Sequence, residues 1–139
     1  MKAVWLDTDW RYFPTEVMDA AYGVSELDAS SWGVLPQLSE YPRELIAETG
    51  TLNLRRSFDL EPMGDTCVRV YLNLTIAPKD TQVYVNGWHA GTFRAGEPFH
   101  ADVTDYVSLE DNLVLVKITR RGELSGMGIE PIPCGEPHP

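Results

Sequence analysis

From Thr51 onward the chain alternates. Leu52, Leu54, Phe58 and Leu60 share one parity, while Asn53, Arg55, Ser57 and Asp59 share the other. This is the period of a strand with one face turned to a core. Arg56 falls on the inward parity. A guanidinium there needs a carboxylate or carbonyls around it, or a route past the sheet edge. Val68, Val70, Leu72 and Leu74 alternate with Cys67, Arg69, Tyr71 and Asn73, the cleanest such stretch in the sequence. Leu113 to Ile118 is apolar on both parities except at Lys117, which predicts an interior strand. Between these runs, Gln82-Val83-Tyr84-Val85 reads as a strand, Asn86-Gly87 as a tight turn tolerant of positive φ, and Trp88 to Phe93 as the returning strand. Gly91 marks a bulge or a close backbone approach. Pro98 has no N–H to give and breaks the ladder. Asp102 to Val107 predicts a short helical turn, with Asp102 or Thr104 as its cap.

The first fifty residues are less regular. Residues 3 to 6 fit a short strand, and Trp10 to Pro14 a loop or edge segment ending at a proline. Thr15 to Gly23 predicts a helix, with Thr15 as cap, Glu16 and Asp19 in the first turn and Gly23 as stop. Ser25 to Gly50 is expected to be mostly irregular, with a turn of helix at Pro42 to Ala47. At the other end, Gly126 to Pro133 predicts a short closing strand, placed at a sheet edge by Pro131 and Pro133, and Gly135 to Pro139 a loose tail. Five or more strands about ten residues apart, separated by turn signals, predict an all-β antiparallel sandwich. The expected division is one domain, with an N-terminal helical or irregular elaboration at 1–50, sandwich strands at 51–133 and a tail at 134–139. No internal repeat or heptad pattern is present.

Composition adds exclusions. A chain of 139 residues with 43% apolar content fits one globular domain. A formal charge of −10 and a pI near 4.6 argue against a nucleic-acid partner, which needs a basic face. Asp7 and Asp9 interrupt the apolar residues near the N-terminus, so no signal peptide is expected and a cytoplasmic location is. No apolar run approaches membrane-spanning length. Cys67 and Cys134 are too few for a disulfide scaffold, and the expectation for such a chain is two reduced thiols, with one bridge if the C-terminal strand lies near Cys67.

Taken in order, several segments resemble the sugar-binding domain of glycoside hydrolase family 2, which includes β-galactosidases, β-glucuronidases and β-mannosidases. They are Val83-Tyr84-Val85-Asn86-Gly87, Gly91, Phe99, Asp102-Val103-Thr104-Asp105-Tyr106-Val107 and Asn112-Leu113-Val114-Leu115-Val116. Upstream, Leu54-Arg55-Arg56-Ser57-Phe58-Asp59-Leu60 resembles the family's aromatic-Arg-Arg-x-Phe strand, with Leu54 where an aromatic is usual, and Trp32-Gly33-Val34-Leu35-Pro36 resembles the Trp and Pro before it. The resemblance runs from about residue 30 to 132. It implies a galactose-binding-like jelly roll. It also implies a non-catalytic, carbohydrate-binding-like module standing alone, because the family's catalytic carboxylates lie on a separate barrel domain. The alternatives are a protein-interaction or assembly domain built on the same fold, self-associating or docked on a partner hydrolase, and an accessory fragment of a larger glycoside hydrolase.

Candidate chemistry is sparse. Twenty-one acidic residues offer no motif for the paired carboxylates of a glycosidase, and no Gly-x-Ser-x-Gly elbow is present, so no enzyme activity is expected. His89 and His100 could meet across the hairpin mouth, but their spacing is not that of a zinc site. For sugar binding, exposed rings that stack on a pyranose beside planar hydrogen-bonding groups are the useful types. Trp88, His89, Arg94 and Glu97, which follow the Asn-Gly turn, and Trp32 are the candidates, with Trp10 a further aromatic in an irregular stretch. The loop Thr92 to Glu97 is short and lacks the extended acidic loop of some β-galactosidases. No cofactor is expected beyond a structural calcium, for which Asp102 and Asp105 offer hard oxygens. Helix capping accounts for the same residues and is the favoured reading.

Overall fold

The computed structural model describes residues 3–13, 33–62, 67–94 and 96–134. Two antiparallel sheets face each other across an apolar core. The first sheet is built from β1 (Val4–Trp5), β10 (Ser125–Pro133), β5 (Val68–Ile76) and β8 (Phe99–Asp102), in that order. The second runs β3 (Gly33–Gln37), β2 (Thr8–Phe13), β4 (Leu52–Phe58), β9 (Asn112–Ile118), β6 (Gln82–Val85) and β7 (Trp88–Thr92). The expected all-β sandwich is therefore what the chain forms, and among the described residues helix is confined to α1 (Glu44–Thr49) and a 3-10 turn at Leu38–Glu40. Gly50 at φ 80° ends α1 in the left-handed conformation that glycine adopts without cost.

The alternating runs face as their parity requires. Leu52, Leu54 and Phe58 of β4, Val70, Leu72 and Leu74 of β5, and Val114, Val116 and Ile118 of β9 all enter the core. β9 lies between β4 and β6, as its apolar character on both faces predicts. The opposite face is not open there. Leu113 and Leu115 are buried, and so are Asn53 and Arg55, which parity alone would place in water. Burial lowers the pKa of the Arg55 guanidinium. Arg56 is satisfied by carbonyls: Nε donates to Thr8 O at 2.6 Å and Nη1 to Ser57 O at 2.9 Å.

The hairpin β6–β7 turns on Asn86 at φ 49° and Gly87 at φ 85°, the paired positive values that the Asn-Gly sequence predicts. The register passes from Val83↔Gly91 to Tyr84↔His89 and so skips Ala90. That bulge brings Gly91 against Phe99: a Cβ built on Gly91 would lie 2.9 Å from Phe99 Cε2. Gly91 sits on the edge strand of one sheet and Phe99 on the edge strand of the other, so this contact closes one side of the sandwich.

Several expectations are corrected. Trp10 to Phe13 is not a loop but part of β2, an interior strand between β3 and β4. Trp10 is 1% exposed and donates Nε1–H to Leu6 O, so it is core rather than a loop aromatic. The stretch 33–50 carries β3 where irregular chain was expected, while the turn of helix expected at Pro42 to Ala47 is present as α1. Residues 102–107 form no helix. Asp102 Oδ1 accepts from the Thr104 N–H at 3.0 Å and hydroxyl at 2.6 Å, and Tyr106 N–H donates to Val103 O at 2.9 Å. Asp102, the last residue of β8, therefore caps a turn and not a helix. The C-terminal strand is nine residues long and lies between β5 and β1. β1 pairs only with Ile129 and Gly128, so Pro131 and Pro133 lie past its end, where a missing N–H costs no ladder bond.

The two cysteines are not thiols. Val68 pairs with Pro133, and the ladder continues as Cys134 N–H donates to Cys67 O at 2.9 Å. This places the Cα atoms 5.3 Å apart and the sulfurs in a disulfide. The predicted helix at 15–23, Trp32 and the tail at 135–139 lie outside the described residues.

Candidate functional site

A concavity forms where the chain crosses from one sheet to the other. β7 ends at Thr92, the segment from Phe93 to Pro98 crosses the edge, and β8 begins at Phe99 beside β5. A cleft of about 470 Å³ opens there, within the size range of small-molecule sites. Phe93, Phe99, Leu74 and Pro98 give it an apolar floor, and Asn73, Thr75, Glu97 and His100 give it polar groups. The floor is firm, since Phe93 and Phe99 are buried and Phe93 N–H donates to Thr81 O at 2.8 Å. The His100 ring lies flat on Tyr71, with centroids 4.4 Å apart and planes within 6°. Its Nδ1 meets Asn73 Oδ1, which fixes both planar groups relative to each other. Glu97 is exposed, and its N–H donates to Arg94 O at 3.1 Å in a tight turn. A ring face, a planar amide and a carboxylate above an apolar floor can hold a polar ring with apolar faces. Nothing in the arrangement supplies a paired-carboxylate geometry.

The residues singled out from sequence divide into separate places. Glu97 lines the cleft, and Arg94 lies exposed on the same loop. Trp88 lies at the far end of the hairpin, 62% exposed, stacked on Tyr106 at 5.7 Å and 11°. His89 lies on the outer face of the second sheet, where Gln82 Oε1 accepts from His89 Nε2 at 2.6 Å and from the Thr92 hydroxyl at 2.8 Å. His89 and His100 thus belong to different sheets and do not meet. Trp32 is outside the described residues. Asp102 spends its oxygens within the protein: Oδ2 accepts from Arg69 Nε and Nη2 at 3.0 and 2.8 Å, and Oδ1 from Thr104. Burial pushes its carboxyl up, but the Thr104 bonds and the Arg69 guanidinium outweigh this and hold it below the usual carboxylate value. Asp105 is exposed, and no group of three or more His, Cys, Asp or Glu side chains suited to a metal occurs among the described residues.

Asn73, Phe93 and Phe99 were not singled out from sequence, and His100 was weighed only as a metal ligand. The parity of β5 does turn Asn73 outward. What brings it beside His100 is the pairing of β5 with β8, which no local pattern announces.

No protein-family model matches the sequence, and no curated protein matches it. Solved structures do. The chain is similar to part of a β-glycosidase from Bacteroides vulgatus, with a TM-score of 0.76 at 15% identity over 94% of this chain and 20% of that one. It is similar to part of a family 2 glycosyl hydrolase from Bacteroides cellulosilyticus, with a TM-score of 0.68 at 18% identity over 94% of this chain and 20% of that one. It is also similar to part of a Bifidobacterium dentium β-glucuronidase, with a TM-score of 0.70 at 22% identity over 85% of this chain and 20% of that one. The chain spans about one fifth of the length of these glycosidases and has the fold of the domain it matches in them.

Proposed function

We propose that the chain is a non-catalytic carbohydrate-binding module that takes a pyranose in the cleft between Phe93 and His100. The cleft itself carries this reading. Pro98, with the little that Phe93 and Phe99 expose, offers apolar contact to one face of a sugar ring, and Asn73, Glu97 and His100 offer hydrogen bonds to its hydroxyls. The likeness to a domain of a β-glycosidase and of a β-glucuronidase supports the same class of ligand. Calorimetric titration with neutral monosaccharides tests it. Saturable binding that is weakened about tenfold or more by His100→Ala or Glu97→Gln is the expected result. An unchanged affinity in both variants, or no heat with any sugar, overturns it.

A second reading, a docking module for a partner hydrolase, is favoured by Trp88. A tryptophan 62% exposed and backed by Tyr106 is the kind of anchor that protein interfaces use. The disulfide supports work in an oxidising compartment.

A further inference from the structure

The cleft does not end at His100. The register Trp5↔Gly128, Gly128↔Asn73, Asn73↔His100 sets four residues in one line across β1, β10, β5 and β8. Three strand spacings make that line roughly 14 Å long. At one end His100 lies on Tyr71. At the other, the Trp5 indole lies over Gly128, whose missing Cβ would stand 3.2 Å from Trp5 Cε3. The glycine supplies a flat seat for the ring, and Trp5 remains 64% exposed. Two aromatic faces, each backed by the protein, thus flank the planar amide of Asn73 along a single row.

Resting on the carbohydrate reading above, we infer that the ligand is a neutral oligosaccharide chain, which leaves the cleft at His100, crosses β5 and β10, and stacks a second sugar ring on Trp5. The spacing of two rings about an amide suits a repeating ligand with apolar ring faces and hydroxyl edges, and it exceeds what one sugar could span. Charge selects the neutral class. Glu97 stands at the cleft, Glu130 pairs with Tyr71 beside the row, and the Arg69 cation is tied to Asp102 by two hydrogen bonds. Arg94 is exposed but does not line the cleft. A chain of net charge −10 adds to the exclusion of polyuronates.

The test is calorimetric titration of the full chain with gluco-, galacto- and xylo-oligosaccharides from monosaccharide to hexasaccharide, and with oligogalacturonides of matching length. In at least one neutral series, affinity is expected to rise about tenfold between the monosaccharide and the longer members. Trp5→Ala is expected to remove that gain while leaving the monosaccharide affinity within about twofold. Gly128→Ala, which displaces the indole from its seat, acts in the same direction, and Trp5→Phe restores part of the gain. Thermal melts check that each variant is folded. Binding that is independent of length, or a gain that survives Trp5→Ala in a folded variant, overturns the inference and leaves the cleft reading standing. Uronides that bind as tightly as neutral chains overturn the charge argument. No binding by any sugar overturns both readings together.

Discussion

Asn86 donates its side-chain N–H to Asn112 Oδ1 at 3.0 Å, joining the tip of the central hairpin to the first residue of β9. The same amide donates to Tyr106 O at 2.7 Å, and Asn86 Oδ1 accepts from Leu113 N–H at 2.8 Å. Asn112, fully buried, in turn donates to Ser108 O and accepts from Ser108 N–H. Two asparagines thus pin the hairpin, the turn after β8 and the start of β9 to one another. Asn86→Ala is expected to cost about 2–4 kcal/mol, from the lost bonds and from a left-handed backbone that alanine tolerates less well. Asn112→Ala is expected to cost about 2–3 kcal/mol, mainly from buried groups left without partners. The double variant should cost less than the sum, with a coupling of roughly 0.5–3 kcal/mol, because both remove one shared network. Urea denaturation of the three variants measures this. Strict additivity would show that the two residues act separately.

How much of this was legible follows from the range of each interaction. Asn86 was readable as a turn residue because its backbone role depends only on Gly87 and the flanking strands. Its bonds to Tyr106 and Asn112 span 20 and 26 residues, and no local pattern reports them. The core strands were readable from parity, since a half-buried strand writes its burial into every second residue. Trp10 was not. Its strand alternates aromatic residues with Asp9 and Arg11, runs into Pro14 in the sequence, and carries Asp9 at φ 65° as its second residue, so it reads as punctuated loop. The cleft was half legible. Glu97 was marked by its place after the hairpin, whereas Asn73 and His100 meet only through β5–β8 pairing, and Trp5 meets Gly128 only through pairing across most of the chain.

Asp102, held by Thr104 and then by Arg69, is expected to contribute an acid limb. Asp102 has a folded pKa below its ordinary value. Its contribution is therefore fully present above the ordinary carboxylate value, near 3.9, and is lost as pH falls through the lower folded value. Between those two values the unfolded chain binds a proton that the folded chain refuses. Asp102→Asn is expected to be less stable at neutral pH and to show a shallower loss of stability below about pH 4. Denaturant midpoints taken from pH 7 down to pH 2.5 check it. An acid limb as steep as in the parent would show that other carboxylates set it. Both side chains are partly exposed, so salt should reduce the difference.

The disulfide joins positions 67 residues apart in sequence, so it closes a long loop. On chain-entropy grounds it is worth about 4 kcal/mol, chiefly by restricting the unfolded chain. The Cys67→Ser/Cys134→Ser variant is expected to unfold at lower denaturant than the oxidised parent by that amount, and reduction of the parent should reproduce the loss. Thiol titration of the purified protein under denaturing, non-reducing conditions should find no free cysteine. Two titratable thiols per chain would show that the pair is reduced as isolated, and the proposed oxidising compartment would lose its support.

The last prediction concerns the edge that carries the cleft. Gly91 and Phe99 occupy adjoining space, and a methyl group on Gly91 would meet the Phe99 ring at 2.9 and 3.1 Å. Contacts this short cannot persist, so the ring must move, and it is buried in the core cluster. Gly91→Ala is expected to cost about 1–3 kcal/mol, as overpacking does. It should also weaken sugar binding, because Phe99 forms the cleft floor. Phe99→Leu alone costs stability by removing ring contacts. Combined with Gly91→Ala it makes room for the new methyl group, so the double variant is expected to be more stable than the two single losses predict. By contrast, Gly96→Ala, with nothing within 4 Å of the added Cβ, meets only the backbone penalty of its φ of 82°, about 1–2 kcal/mol. It should leave Phe99 in place. Chemical denaturation and sugar titration of these four variants separate the steric effect from the backbone effect. If Gly91→Ala and Gly96→Ala prove equal in both measurements, the contact between the two sheet edges is not what holds the cleft floor.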